Sequence, residues 1–163
     1  MNKVYLLTGG NMGDRMANIR TVYYHIKNGI GKILQESLVY ESEPWGFKAE
    51  QAFLNQVLLV ETDLPPLELL EKCLYIENLL GRTRSSNGYI SRTMDIDILF
   101  FNDEIIELPQ LVIPHNRLHE RKFTLEPLNE IAPDFVHPKL NKKIGELLQS
   151  CKDSSKVSTY TTF

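Results

Sequence analysis

The sequence has little of what marks a secreted, membrane-spanning or nucleic-acid-binding protein. Only two of its 163 residues are cysteines, and Cys73 and Cys151 form neither a disulfide framework nor a CxxC metal or redox site. The apolar run within residues 1–10 is far too short for a signal peptide or a membrane helix. The formal net charge of -3 argues against a general nucleic-acid binder, which carries a basic excess. We therefore expect a cytoplasmic protein with neither a nucleic-acid nor a membrane partner.

Two common phosphate-binding motifs are also absent. Gly9, Gly10 and Gly13 lie close together, but their spacing is not the GxGxxG of a dinucleotide-binding fold. No Gly-Lys-Ser/Thr follows them, so they do not form a P-loop. The glycines instead predict a tight turn from a strand into a helix, where a flat ligand can approach the backbone. Any anion that this chain binds must therefore be met by a local cluster of cations.

The composition is that of one compact globular domain. With 42% hydrophobic and 24% charged residues, residues 1–163 are enough for one domain with a core and too few for two ordinary ones. Apolar periodicity predicts strands at residues 4–7, 33–40, 53–60 and 94–101, and helices that begin after Asp14 and at Pro65. The order strand, helix, two strands, helix, strand predicts an α+β fold, ferredoxin-like, with helices packed on the faces of an antiparallel sheet.

The second half of the chain has weaker signals. Residues 102–103 could turn the strand before them into a hairpin with residues 104–106. Five prolines after residue 108 predict that only short elements follow. A last short helix is expected near Leu147, and the polar tail at residues 154–163 is expected to be loosely held.

The strongest local signal is the pair Asp95 and Asp97 within the strand predicted at residues 94–101. Side chains alternate faces along a strand, so the two carboxylates project together while Ile96 and Ile98 point into the core. Adjacent carboxylates repel each other, and a divalent cation reverses that repulsion. Magnesium favours one or two carboxylates together with phosphate oxygens and water. An amphipathic strand that shows its acids to solvent has the same pattern, so spacing alone leaves both interpretations open.

Three arginines flank this pair. Arg82, Arg84 and Arg92 bracket a loop with small polar residues at 85–88. Guanidinium groups suit phosphate oxygens because their planar fork donates two hydrogen bonds at once, and such a loop can close over a polyphosphate. Each arginine taken alone is better explained as a solvated charge. Three of them beside a same-face carboxylate pair favour a site for a cation and phosphates.

Two further residues are ambiguous on spacing alone. Glu77 continues the stripe of Leu70 and Leu74 on the second helix, where a carboxylate is usually a boundary residue near solvent. It could instead reach a nucleotide from the wall of a cavity. His115 follows a proline, and a single histidine there is more often structural, although it could donate a hydrogen bond to a phosphate. Arg121 would add positive charge beside it.

These motifs belong to a larger set of residues that is spread along nearly the whole chain, and the order and spacing of its members are part of the pattern. The set consists of Gly9-Gly10-Asn11, Pro44 with Gly46, Phe53-Leu54-Asn55, Glu77, Gly81-Arg82-Thr83-Arg84, Arg92-Thr93-Met94-Asp95-Ile96-Asp97, Pro114-His115, Arg121 with Phe123, Pro127-Leu128 and Ile131-Ala132-Pro133. In this set the chain resembles the 6-hydroxymethyl-7,8-dihydropterin pyrophosphokinase family of folate biosynthesis. The resemblance implies a monomeric enzyme that transfers a diphosphate from ATP to the hydroxymethyl group of the pterin and releases AMP.

The resemblance also implies a role for each matching residue. The catalytic group would be Arg82, Arg84, Arg92, Asp95 and Asp97, and the two aspartates would hold two Mg²⁺ ions. The ATP contacts would be Glu77, Arg82, Arg84, Arg92, Ile98, His115 and Arg121. The pterin contacts would be Ser42, Glu43, Pro44, Trp45, Gly46, Phe53, Asn55 and Phe123. In the pterin site the two phenylalanines would sandwich the ring and Asn55 would read its polar edge.

Two other functions share parts of this pattern. A glycosyltransferase also uses an Asp-x-Asp pair to hold a metal against a nucleotide-sugar diphosphate, but that fold usually needs a longer chain with parallel α/β units. A non-catalytic ferredoxin-like module that binds a ligand would not need three arginines next to paired carboxylates. Formation of AMP from ATP separates the expected activity from both.

Overall fold

The computed structural model describes residues 1–43, 51–84 and 90–160, with the backbone alone at 82–84 and 90–92. Its elements are, in chain order, β1 (Asn2–Gly10), α1 (Arg15–Gly29), β2 (Lys32–Glu36), β3 (Tyr40–Ser42), β4 (Phe53–Thr62), α2 (Pro66–Leu79), β5 (Arg82–Arg84), β6 (Ile90–Arg92), β7 (Asp95–Phe101), β8 (Ile106–Leu108), β9 (Leu111–Ile113), a 3-10 helix (Leu118–Glu120), α3 (Lys122–Ile131), α4 (Ile144–Gln149) and β10 (Val157–Thr159). None of the helices in these ranges has both the length and the apolar character needed to span a membrane.

Within the described residues, six strands form one antiparallel sheet. β1 pairs with β4 on one side and with β7 on the other, and β2 and β3 pair with different parts of β4. β10 extends the sheet by pairing with β3. The spatial order β2, β4, β1, β7, with α1 and α2 as the connections after β1 and β4, is the ferredoxin-like arrangement. The predicted fold class is therefore confirmed.

Each face of the sheet carries its own hydrophobic core. On β1, Val4 and Leu6 pack under α1 and α2, whereas Tyr5 and Leu7 pack under α3 and α4. This division follows from the alternation of side chains along a strand. The sheet is therefore the middle of three layers, and its central strands are buried on both sides.

Helices α1 and α2 begin close to where the sequence predicts. Asp14 caps α1 by accepting a hydrogen bond of 3.1 Å from the backbone N–H of Ala17. Helix α2 begins at Pro66. Proline is favourable there because the N–H groups of a first helical turn have no acceptor within the helix, so the N–H that proline lacks costs nothing. Cys73 is 1% exposed and belongs to the core, while Leu74 is 38% exposed. Helix α2 thus meets the sheet along the side that carries Cys73.

Four expectations about the remaining elements need correction. The predicted strand at residues 33–40 is divided into β2 and β3. The turn at residues 102–103 does not lead to pairing with β7, since β8 pairs with β9. Helix α3 forms although Pro127 lies inside it, because burial of its apolar side outweighs one missing hydrogen bond. The tail expected to be loosely held supplies β10, whose backbone satisfies the outer edge of β3.

Candidate active site

A cleft of about 250 Å³ lies at the end of the sheet where β1 ends and β4 and β7 begin. Backbone pairing places Gly9 of β1 opposite Asn55 of β4 on one side and opposite Asp95 of β7 on the other. The 3-10 helix and the start of α3 supply a further wall. The lining residues are Leu7, Gly9, Ser42, Glu43, Phe53, Asn55, Asp95, Asp97, Arg117, Glu120, Arg121 and Phe123.

Asp95 and Asp97 both line this cleft and are half-buried. Ile96 and Ile98 are 5% and 6% exposed and pack in the core under α2, so the predicted alternation along β7 is confirmed. Among the described residues, the cleft included, no group of three or more His, Cys, Asp or Glu side chains could hold a metal ion. The pair would leave most of a cation's coordination sphere to phosphate oxygens and water. That donor set fits magnesium.

An amide and two aromatic side chains line the other part of the cleft. Asn55 is 5% exposed, and its Nδ2 donates a hydrogen bond of 3.3 Å to Oγ of Ser42. A Cβ on Gly9 would lie 2.1 Å from Oδ1 of Asn55, so only glycine leaves room for this amide. Phe53 and Phe123 line the same space. The combination suits a flat heterocycle with polar edges.

Two cations reach the cleft from the segment before α3. The guanidinium of Arg121 lies 5.6 Å from the centre of the Phe123 ring, which is within the range of a cation–π contact. Nε of Arg117 lies 3.4 Å from Oε2 of Glu120 in an exposed ion pair. Sequence reasoning missed Arg117, Glu120 and Leu7 as lining residues. Arg117 could have been predicted as a further basic residue near Arg121. Glu120 and Leu7 could be recognised as lining residues only from the packing of α3 on the sheet.

His115 lines a neighbouring cavity of about 140 Å³. Its backbone N–H donates a hydrogen bond of 3.1 Å to the carbonyl of Leu99, and its Nδ1 accepts one of 3.3 Å from the N–H of Arg117. Burial lowers the pKa of His115 below its usual value, and the charges of Arg121 and Arg117 lower it further. The neutral imidazole is therefore favoured, with Nε2 left as the atom that can face a ligand.

Comparison with known proteins identifies the family. Residues 5–133 match the family model described as 7,8-dihydro-6-hydroxymethylpterin-pyrophosphokinase (HPPK). The chain belongs to this family. It is 42% identical over 135 residues to the 2-amino-4-hydroxy-6-hydroxymethyldihydropteridine pyrophosphokinase of Bacillus subtilis, with 80% of this chain and 78% of that one covered. The protein of the same name from Porphyromonas gingivalis is 38% identical over 138 residues, which cover 83% of this chain and 93% of that one.

Solved structures share the fold of this HPPK chain. A crystal structure of HPPK-DHPS in complex with substrates has a TM-score of 0.73, covers 91% of this chain and is 19% identical. The HPPK-DHPS of Plasmodium falciparum with pteroate has a TM-score of 0.75, the same coverage and 22% identity. The chain spans 43% and 42% of the length of these two solved chains. At these identities the likeness concerns the fold of that part alone.

Besides His115, which lines the neighbouring cavity, two residues that the family resemblance assigns to ATP do not line the cleft. Glu77 is 4% exposed, and its Oε2 accepts a hydrogen bond of 2.8 Å from the backbone N–H of Ile96. Of the two interpretations that spacing left open, the boundary residue near solvent is therefore excluded, and the contact of Glu77 with ATP stays a prediction. The side chain of Ile98 packs in the core, so only its backbone could contact a nucleotide.

Several predicted site residues lie outside the described part of the HPPK chain. They are Pro44, Trp45 and Gly46, the loop at residues 85–89, and the side chains of Arg82, Arg84 and Arg92. The backbone of β5 and β6 is described and pairs Arg82 with Arg92. This hairpin leads directly into β7. Its position along the chain is therefore compatible with arginines near the aspartate pair, and their contacts stay predictions.

Proposed function

We propose that this chain transfers a diphosphate from ATP to the hydroxymethyl group of 6-hydroxymethyl-7,8-dihydropterin in the cleft around Gly9. As a member of the HPPK family, it is a pyrophosphokinase of folate biosynthesis. One observation carries the location: Gly9 pairs with both Asn55 and Asp95. Neighbouring strands are about 4.8 Å apart, so a ligand over Gly9 meets an amide on one side and a carboxylate on the other.

The pterin would occupy the side of the cleft that holds Asn55. Phe53 and Phe123 would stack on its two faces, each contact contributing roughly 0.5–1.5 kcal/mol beyond the buried area. Asn55 offers both a donor and an acceptor to the polar edge of the ring, and its bond to Ser42 fixes the orientation of the amide. Glu43 lies next to this pair on the cleft wall. Residues 44–46 would complete the contacts to the polar edge.

The triphosphate would lie over β7. Arg82, Arg84 and Arg92 would contact its oxygens from the segment before β7, and Arg121 would do so from the start of α3. These charges are needed because the reaction depends on positioning and on stabilising the charge spread over the phosphoryl oxygens. His115, which favours its neutral form, would serve as a hydrogen-bond donor to a phosphate rather than as a cation.

Asp95 and Asp97 would hold two Mg²⁺ ions. When bound, magnesium supplies positive charge beside the phosphates and favours loss of the proton from the attacking hydroxyl group. The chain's own contribution is to hold both carboxylates on one face of β7. Pairing of β7 with β1 fixes that face, since Leu7 lies opposite Asp97 and Gly9 opposite Asp95.

The decisive experiment combines the protein with ATP, MgCl₂ and 6-hydroxymethyl-7,8-dihydropterin and identifies the nucleotide product by chromatography. AMP formed together with the pterin diphosphate supports the proposal. ADP, or no turnover, contradicts it, and cleavage of a nucleotide sugar in a separate incubation would indicate a glycosyltransferase instead. The same assay in EDTA should lose activity and regain it with excess Mg²⁺. Activity that persists in EDTA would remove the role given to the aspartate pair.

We also propose that residues 1–163 act as one domain and as a monomer in the cytoplasm, with small molecules as the only partners. Light scattering coupled to size-exclusion chromatography should give the mass of one chain, 18.8 kDa. A mass of two chains would contradict the monomer.

A further inference from the structure

The C-terminal strand lies beyond the part of the chain that matches the family model, yet it is part of the sheet beside the cleft. The match ends at residue 133, whereas β10 pairs with β3 through Val157 opposite Ser42 and Thr159 opposite Tyr40. Ser42 lines the cleft and pairs on its other side with Phe53 of β4. A strand of three residues that carries a cleft residue thus has both of its edges covered.

Arg15, the first residue of α1, connects the same elements through its side chain. Its Nη1 lies 2.8 Å from Oε2 of Glu41 and donates a hydrogen bond of 2.9 Å to the carbonyl of Ala52. Its guanidinium lies 5.2 Å from the centre of the Tyr160 ring. The backbone N–H of Tyr160 donates a hydrogen bond of 2.8 Å to the carbonyl of Val39. One guanidinium therefore joins α1, β3, the residue before β4 and the residue after β10.

The arginine side of this contact is largely buried, whereas its carboxylate partner is partly exposed. The side chain of Arg15 is 16% exposed and that of Glu41 is 36% exposed. Hydrogen bonds between ionised partners are stronger than neutral ones, and the tyrosine ring adds a cation–π contact. Glu41 and Ala52 are the direct neighbours of Ser42 and Phe53. Holding Glu41 and Ala52 together therefore fixes the distance between Ser42 and Phe53.

We propose that Arg15 and the C-terminal strand are positioning elements for the pterin side of the cleft. They hold the ends of β3 and β4 so that Ser42 and Phe53 keep their places against the substrate. The proposal rests on the proposed function, because the substrate on that side is taken to be the pterin. Asp95 and Asp97 lie on β7, on the other side of β1 and β4. Loss of Arg15 should therefore weaken pterin binding and leave ATP binding largely unchanged.

The test compares the full-length chain with Arg15→Gln, Arg15→Lys and Tyr160→Leu, using pterin fluorescence without ATP and an ATP analogue without pterin. Arg15→Gln should raise the Kd for the pterin about tenfold, since it loses one charge-assisted contact and one cation–π contact. Tyr160→Leu should raise it by about threefold, and Arg15→Lys should fall between wild type and Arg15→Gln. The Kd for the ATP analogue, and kcat at saturating pterin, should stay within about twofold of wild type.

The matched control is Arg20→Gln, since Arg20 is an exposed arginine on the same helix. It should leave every constant unchanged. The proposal is overturned if Arg15→Gln binds pterin as wild type does, or if pterin affinity, ATP affinity and kcat fall together. If Arg15→Gln does not fold, Tyr160→Leu decides alone by the same criteria. Failure of the wild-type protein to form AMP would instead refute the proposed function. The two failures can be told apart, because the variants are compared only with the wild-type protein.

Discussion

The carboxylate of Glu77 on α2 accepts a hydrogen bond of 2.8 Å from the backbone N–H of Ile96 on β7. Ile96 lies between Asp95 and Asp97, and β7 is the last strand on its side of the described sheet. A backbone N–H at such an edge has no neighbouring strand to accept its hydrogen bond. The buried Glu77 supplies that acceptor. The helix thereby fixes the strand that carries the candidate metal ligands.

Replacing Glu77 by Leu should destabilise the protein and slow turnover. The N–H of Ile96 would remain buried without this acceptor, which costs about 1–3 kcal/mol, and β7 would be free to shift. Glu77→Gln keeps an acceptor oxygen and should lose less. Urea denaturation gives the free energy of unfolding, and AMP formation gives the rate. The control is Glu71→Leu, an exposed position on the same helix. A Glu77→Leu protein as stable as this control would contradict the prediction.

Replacing Asp97 by Ala should abolish turnover while pterin binding survives. The change removes one of the two carboxylates on the cleft face of β7, whereas Asn55, Phe53 and Phe123 remain in place. Metal and charge stabilisation are worth several kcal/mol in such sites, so the rate should fall by about a thousandfold or more. Pterin fluorescence should give a Kd within about threefold of wild type. Asp103→Asn, at the exposed turn after β7, is the control and should keep full activity.

The shared face of Asp95 and Asp97 could be predicted from the sequence, because side chains alternate between the two faces of any strand. Alternation separates Asp95 and Asp97 from Ile96 and Ile98 whatever packs around them. The environment of Glu77 could not be predicted in this way, since it depends on how α2 rotates against the sheet. Leu74 and Glu77 share a stripe on the helical wheel, yet the first is exposed and the second is buried.

Elements that depend on distant partners could not be predicted from the local sequence pattern either. β10 consists of Val157, Ser158 and Thr159, a polar segment that forms a strand because β3, more than a hundred residues earlier, offers an open edge. Pro127 argues locally against helix α3, because proline removes a backbone hydrogen bond from a helix. The burial of Leu125 and other apolar residues against the sheet outweighs that loss. Both elements border the cleft or its supporting strand. Tertiary packing therefore decides much of the site that local pattern leaves open.

Replacing Gly9 by Ala should weaken pterin binding. The added Cβ would lie 2.1 Å from Oδ1 of Asn55 and 2.9 Å from the carbonyl of Leu54, so the amide must move from the position in which we propose that it contacts the pterin. Loss of its hydrogen bonds should raise the Kd for the pterin by about tenfold or more. Gly29→Ala is the matched control, because a Cβ there meets nothing within 4 Å. Equal pterin affinity in the two variants would show that Gly9 has no role in placing Asn55.

Acid should destabilise the protein partly through His137. This side chain is 3% exposed, and its Nδ1 accepts hydrogen bonds of 3.1 Å from the backbone N–H groups of both Lys139 and Leu140. Burial lowers the pKa of His137 from 6.5 to about 4, and the nearby His119 and Lys139 lower it too. Between these two pKa values the unfolded chain binds a proton that the folded chain does not. The free energy of unfolding should therefore fall as the pH is lowered from 6.5 towards 4.

His137→Asn isolates this contribution, since the asparagine oxygen can accept the same backbone hydrogen bonds but does not titrate. Urea denaturation at several pH values from 7 to 4 should show a shallower loss of stability in the variant than in wild type. Carboxylates titrate in the lower part of this range in both proteins, so their effect cancels in the comparison. His25→Asn on α1 should keep the wild-type slope. If His137→Asn loses stability with acid as steeply as wild type, His137 is not the group that unfolding protonates.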